Sequence, residues 1–143
     1  MFGDNILIGK SNHNMQDKNR IILPTDSMAE NKDTLCFIRE NELTFSIYNL
    51  KTIEEQIKRL EKLKNSSNID ELSKIEEAIN RLTFSIIGTK DVDKQNRVTI
   101  PKMVVNEYDL DGQLIFQGSN DHIKVFNDEE KYKEYQKRIE NKK

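Results

Sequence analysis

The sequence predicts an α+β protein built from two repeated β-rich halves, with a helical hairpin between them and a helix at the end. Three observations predict it. First, Asn14-Met15-Gln16-Asp17-Lys18-Asn19-Arg20-Ile21-Ile22-Leu23-Pro24 lines up with Asp91-Val92-Asp93-Lys94-Gln95-Asn96-Arg97-Val98-Thr99-Ile100-Pro101, and self-similarity of this kind marks duplicated units. Second, two stretches between the copies carry apolar residues at helical spacing. Third, each copy is followed by short segments of strand-like pattern. The expected divisions are 1–49, 50–82 and 83–143.

In each half a strand runs into a polar loop, and a strand begins after Asn-Arg, at Ile21–Leu23 or Val98–Ile100. The proline that follows stops sheet pairing and opens a helical turn. In the second half this helix carries Met103, Val104, Tyr108 and Leu110 on its apolar side. In the first half, at Thr25–Asp33, it is weak. Two strands then close each half as a hairpin. Cys36-Phe37-Ile38 aligns with Leu114-Ile115-Phe116, and Phe45–Asn49 with Ile123–Asn127, after one inserted residue. Glu40-Asn41-Glu42 and Gly118-Ser119-Asn120-Asp121 are turn sequences.

Between the halves, Thr52-Ile53-Glu54-Glu55 reads as a capping box, followed by the stripe Ile53, Ile57, Leu60, Leu63. Asn65–Asn68 breaks that helix. Asn68 with Glu71 starts a second one, with the stripe Leu72, Ile75, Ile79, Leu82. The last helix is expected to start at Asn127, with Glu130 three residues on and a sparse Tyr132, Tyr135, Ile139 stripe. Its Lys137, Arg138, Lys142, Lys143 cluster suits the helix dipole.

The composition narrows the function. No segment approaches the roughly 20 apolar residues of a membrane span, and the N-terminal residues lack a signal-peptide pattern, so a cytoplasmic location is expected. Cys36 is the only cysteine and the histidines are only His13 and His122. A disulfide, a structural zinc site, a metal or a cofactor is not expected. No catalytic constellation or glycine-rich phosphate loop is visible, so an enzyme is not expected. Net charge is −2, but its distribution matters more. In 1–24, Lys10, Lys18 and Arg20 outweigh Asp4 and Asp17. In 88–102, Lys90, Lys94, Arg97 and Lys102 outweigh Asp91 and Asp93. The segments after each, 25–49 and 103–126, are acidic.

The repeated Asn-Arg carries the candidate site. Asn19 and Asn96 occupy the same slot, and Asn tolerates left-handed backbone angles better than most residues. Each suggests a sharp turn that aims the following arginine outward. Lys18 and Lys94 suit phosphate, whereas Arg20 and Arg97 suit two-pronged contact with guanine. Gln95, Asn19 and Asn96 add base or phosphate hydrogen bonds. Asp93 orients Arg97 or caps its loop. The partner these features fit is double-stranded DNA.

The chain resembles the MraZ family, within the wider SpoVT/AbrB swapped-hairpin class of bacterial transcription regulators. Two copies of Asp-x-x-x-Arg followed by a strand and proline mark that family. Asp93-Lys94-Gln95-Asn96-Arg97-Val98-Thr99-Ile100-Pro101 is a close match, and Tyr108-Asp109-Leu110, Leu114–Gly118 and Asp121–Phe126 are similar to its second half. Gly9 stands at the usual distance before the first motif. Here Gln16 replaces the first Asp, Asn replaces Gly in both loops, Phe126 stands where Trp is common, and Val105 replaces a frequent Arg. Either Asp17 takes over the missing Asp's hydrogen bonds or the first loop is less ordered. The second loop is therefore expected to dominate.

The resemblance implies tandem, pseudo-two-fold, swapped-hairpin β-barrel halves. It also implies a nucleoid-associated homo-oligomeric ring that binds repeated promoter boxes, commonly repressing the division and cell-wall gene cluster. Two rival readings are an antitoxin of the same class, which carries one motif copy and a disordered toxin-wrapping tail, and an interaction scaffold without a DNA role.

Overall fold

The computed structural model describes residues 7–23, 29–30 and 32–142. Pro24 and most of the expected helical turn at Thr25–Asp33 lie outside the described residues, as do the first six residues and Lys143. Strand β1 (Leu7–Asn14) leads through a 3-10 turn at Asp17–Asn19 into the short β2 (Arg20–Ile22). Strands β3 (Thr34–Arg39) and β4 (Thr44–Asn49) form the first hairpin. Helices α1 (Leu50–Leu63) and α2 (Ile69–Phe84) follow. The second half repeats the order with β5 (Ile86–Asp91), β6 (Arg97–Thr99), α3 (Lys102–Glu107), β7 (Gln113–Asn120) and β8 (His122–Phe126). Helix α4 (Glu129–Asn141) ends the chain.

The strands make one antiparallel sheet, in the order β1-β7-β8-β4-β3-β5, and a separate ribbon of β2 and β6. The two halves are threaded through each other. β1 of the first half pairs with β7 of the second, and β5 of the second pairs with β3 of the first. The hairpins meet at β4 and β8, where Ser46 lies opposite Lys124. Equivalent residues thus exchange places about an axis through the sheet centre, and the β2–β6 ribbon obeys the same relation with Ile21 opposite Val98.

Alternation along each strand decides which face it buries. Phe37, Phe45, Ile47, Leu114, Phe116, Ile123 and Val125 belong to the main core on one face of the sheet. The ribbon covers that face with Ile21, Leu23, Val98 and Ile100, and α3 adds Val104. Each such side chain stabilises by about 1.5–3 kcal/mol on leaving water. The opposite face carries the longer helices: Ile53 of α1 packs on Cys36 and Ile38, and Tyr132 of α4 on Ile115 and Phe126. Glu40 accepts hydrogen bonds there from the Ser46 hydroxyl and the Lys124 ammonium, so the buried Ser46 hydroxyl is satisfied.

Several sequence expectations need correction. The sheet is open, with β1 and β5 as edges, whereas closed barrel halves are implied by the resemblance; among the described residues the ribbon strands pair with each other and join no strand of the main sheet. Helix α1 starts one turn before Thr52, because the Asn49 side chain accepts from Lys51 N–H at 3.0 Å and caps the helix first. Asp128, not Asn127, caps α4, accepting from Lys131 N–H at 2.9 Å, where a carboxylate gains from the helix dipole. Met103 is exposed and Val104 alone of that pair is buried. The β3/β7 alignment shifts by one residue: Phe37 faces Ile47 and Phe116 faces Val125, so Phe37 matches Phe116, and Ile38 points to the helices. The Asn68 cap of α2 and burial of Cys36 match expectation.

Candidate nucleic-acid interface

The two Asn-Arg loops are built alike. In the first, Gln16 N–H donates to the Arg20 carbonyl at 2.7 Å; in the second, Asp93 N–H donates to the Arg97 carbonyl at 2.9 Å. Asn19 and Asn96 both have φ of 59°, the left-handed conformation that asparagine accepts more readily than most residues. The asparagine slot therefore exists to turn the chain sharply into the arginine strand. Lys18 is also left-handed, at φ 62°, a strained choice for a long side chain.

The loops differ in how they hold their arginines. One Asp93 carboxylate oxygen accepts from the Gln95 and Arg97 backbone N–H groups, each at 2.9 Å, and the other accepts from Arg97 Nε at 3.0 Å. Asp93 therefore both caps its loop and orients Arg97. The Arg97 backbone N–H chiefly, helped by the Gln95 N–H and the guanidinium, holds this carboxyl below the usual carboxylate range. Gln16 offers no carboxylate, and Arg20 Nε instead donates to the Asp17 carbonyl at 3.2 Å. Asp17 thus takes over part of the role through its backbone. Among the described residues, Arg20 is thus held through a backbone carbonyl, where Arg97 is held by a carboxylate.

The ribbon joins the loops into one surface. Arg20 lies opposite Thr99, Ile21 opposite Val98, and Ile22 opposite Arg97. The carbonyls of Asn19 and Asn96 extend it, accepting from Ile100 N–H at 2.8 Å and Leu23 N–H at 3.0 Å. Ile21 and Val98 are buried, so period-two alternation turns Arg20, Ile22, Arg97 and Thr99 to the outer face together. Arg20 and Arg97 are diagonal neighbours there, with Cα atoms roughly 7–8 Å apart. Lys18 and Lys94 are exposed in the two loops, at opposite ends of the ribbon, and Gln16, Asp17 and Gln95 are exposed beside them. The structure therefore places all ten sequence-predicted residues in one ribbon and its two flanking loops, with Arg20 and Arg97 as the first residues of the ribbon strands.

Sequence reasoning missed Ile22 and Thr99. The signal was present: in Arg-Ile-Ile-Leu and Arg-Val-Thr-Ile, the residue two after each arginine must share its face.

No protein-family profile matches the chain. It is 27% identical over 133 residues to the transcriptional regulator MraZ of Clostridium acetobutylicum, an alignment covering 91% of this chain and 87% of that protein. The same figures hold for the transcriptional regulator MraZ of Clostridium tetani. Against that of Caldanaerobacter subterraneus subsp. tengcongensis, identity is 24% over 135 residues, covering 92% of this chain and 87% of the relative.

Proposed function

We propose that this chain, which belongs to the MraZ family of transcriptional regulators, acts by binding double-stranded DNA sequence-specifically through the β2–β6 ribbon and its two flanking loops. The observation that carries this is the pairing of the Arg20 and Arg97 strands, which sets two half-buried arginines on the outer face of one ribbon. A two-stranded ribbon fits the major groove, and an arginine contacting guanine O6 and N7 gives about 1–3 kcal/mol of discrimination. Arg97, held by Asp93, is the better ordered reader. Lys18 and Lys94 sit where they meet phosphates, and Gln95, Asn19 and Asn96 supply further hydrogen bonds.

Strand exchange between the halves supports the swapped-hairpin class, with 1–49 and 83–143 as its units and 50–82 as an inserted arm. The net positive charge of one interface is small, so one protomer binds weakly. A homo-oligomeric ring engaging repeated boxes overcomes this, since linked sites gain roughly 10²–10⁴-fold. In this reading the protein is a cytoplasmic, nucleoid-associated regulator, most simply a repressor, of the division and cell-wall gene cluster. Anisotropy titrations on duplexes from directly upstream of its gene, with one box or several, test it. Tighter binding to several boxes, weakening steeply with salt, is expected; equal affinity for both would contradict the oligomer mechanism.

A further inference from the structure

The ribbon carries one residue that neither charge nor core packing explains. Ile22 is 49% exposed, although its neighbour Ile21 is fully buried and the strand has only three residues. It stands directly opposite Arg97 and two positions from Arg20 on the same strand, so a large apolar residue neighbours both arginine positions on the outer face. Directly opposed residues have Cβ atoms about 4.5–5.5 Å apart.

The repeat makes this more specific. Ile22 and Thr99 occupy equivalent positions, as do Arg20 and Arg97. The arginines are the same in both halves, whereas the residue facing each arginine is not. Thr99 lies opposite Arg20 and Ile22 opposite Arg97. In the major groove the thymine 5-methyl is the apolar feature, and it sits beside the acceptor and donor edges that polar groups read.

Resting on the DNA reading proposed above, we infer that Ile22 is a specificity-determining residue that packs on a thymine methyl next to the base read by Arg97. The two ends of the ribbon therefore read different sequences, and its target is asymmetric. Thr99, with one methyl and a hydroxyl, tolerates more bases on its side.

The test uses the full-length chain to select duplexes from a random pool, then replaces each thymine of the recovered duplex in turn by deoxyuridine, which lacks only the methyl. For the unaltered protein, one replacement per ribbon weakens binding roughly fourfold, the worth of one buried methyl group, and the other thymines matter little. Ile22→Ala binds the thymine and uracil duplexes equally, and Ile22→Val keeps most of the discrimination. Thermal melts of both variants check that the ribbon still folds. If no replacement weakens the unaltered protein, or if Ile22→Ala weakens both duplexes while keeping the same ratio between them, the inference is overturned. If the pool yields no preferred duplex at all, sequence-specific DNA reading falls, and this inference with it.

Discussion

Adjacent isoleucines of the ribbon should lose very different amounts of stability on the same substitution. Ile21 is 0% exposed and Ile22 is 49% exposed, although they are chemically identical and share one strand. Ile21→Ala removes three carbons from the core between the ribbon and the sheet. At about 0.8 kcal/mol per buried methylene plus a cavity term, the loss is about 3 kcal/mol, inside the roughly 2–5 kcal/mol range for such truncations. For a chain of this length that lowers the melting temperature by roughly 6–12 °C. Ile22→Ala leaves most of its burial unchanged and costs only strand preference, under about 1 kcal/mol. Urea denaturation of both variants, read by far-UV circular dichroism, measures the pair. Equal losses, or a larger loss at Ile22, would refute the assignment of ribbon faces, and with it the placement of Arg20 and Arg97 on one surface.

Three further outcomes follow from the geometry. Asp93→Asn keeps an oxygen for the Gln95 and Arg97 backbone N–H groups but turns an amide donor toward Arg97 Nε. Competition titrations should therefore show weaker binding to the specific box and stronger binding to unrelated DNA; the same change on both would remove Asp93 from an orienting role. At Gly118, an added Cβ would stand 2.5 Å from Ile8 N and 2.7 Å from the Leu7 carbonyl carbon. These are backbone atoms of the paired edge strand, so Gly118→Ala should detach the start of β1, seen as faster amide exchange at Leu7–Gly9; unchanged exchange would contradict this. Burial holds the His122 imidazole below its ordinary pKa of 6.5. The unfolded chain therefore takes up the proton first, and stability should fall as pH drops below about 6.5, with His13, also lowered by burial, adding to the loss. His122→Phe, which preserves the stack on Tyr48, should flatten that dependence in melts between pH 7.5 and 5.5; an unchanged slope would argue against it.

What could be read in the sequence was local. Left-handed Asn19 and Asn96, the Asn41 turn and the Asn68 cap each depend on a few neighbouring residues and on side-chain chemistry that acts within one turn. Helix starts were less legible because caps compete: Asn49 and Thr52 both suit the role, and Asn49 wins since β4 ends there and Leu50 packs against the Cys36 cluster. The β3/β7 register slipped by one because apolar residues occupy both faces of β3, so alternation gives no phase. The ribbon itself was out of reach. It joins residues far apart in the chain, and nothing in either short strand names its partner. The repeat located the two arginines, but the fold alone showed that they share a face.

The proposed reading of DNA by Arg20 and Arg97 from one surface can be put to a single experiment. The most direct measurement is anisotropy titration of an Arg20→Ala/Arg97→Ala variant against the duplex upstream of the gene and a scrambled duplex, with a melt to confirm folding. The double variant should fold and no longer distinguish the two, since each arginine supplies roughly 5- to 150-fold of discrimination. A folded double variant that still prefers the upstream duplex by the original factor would contradict it.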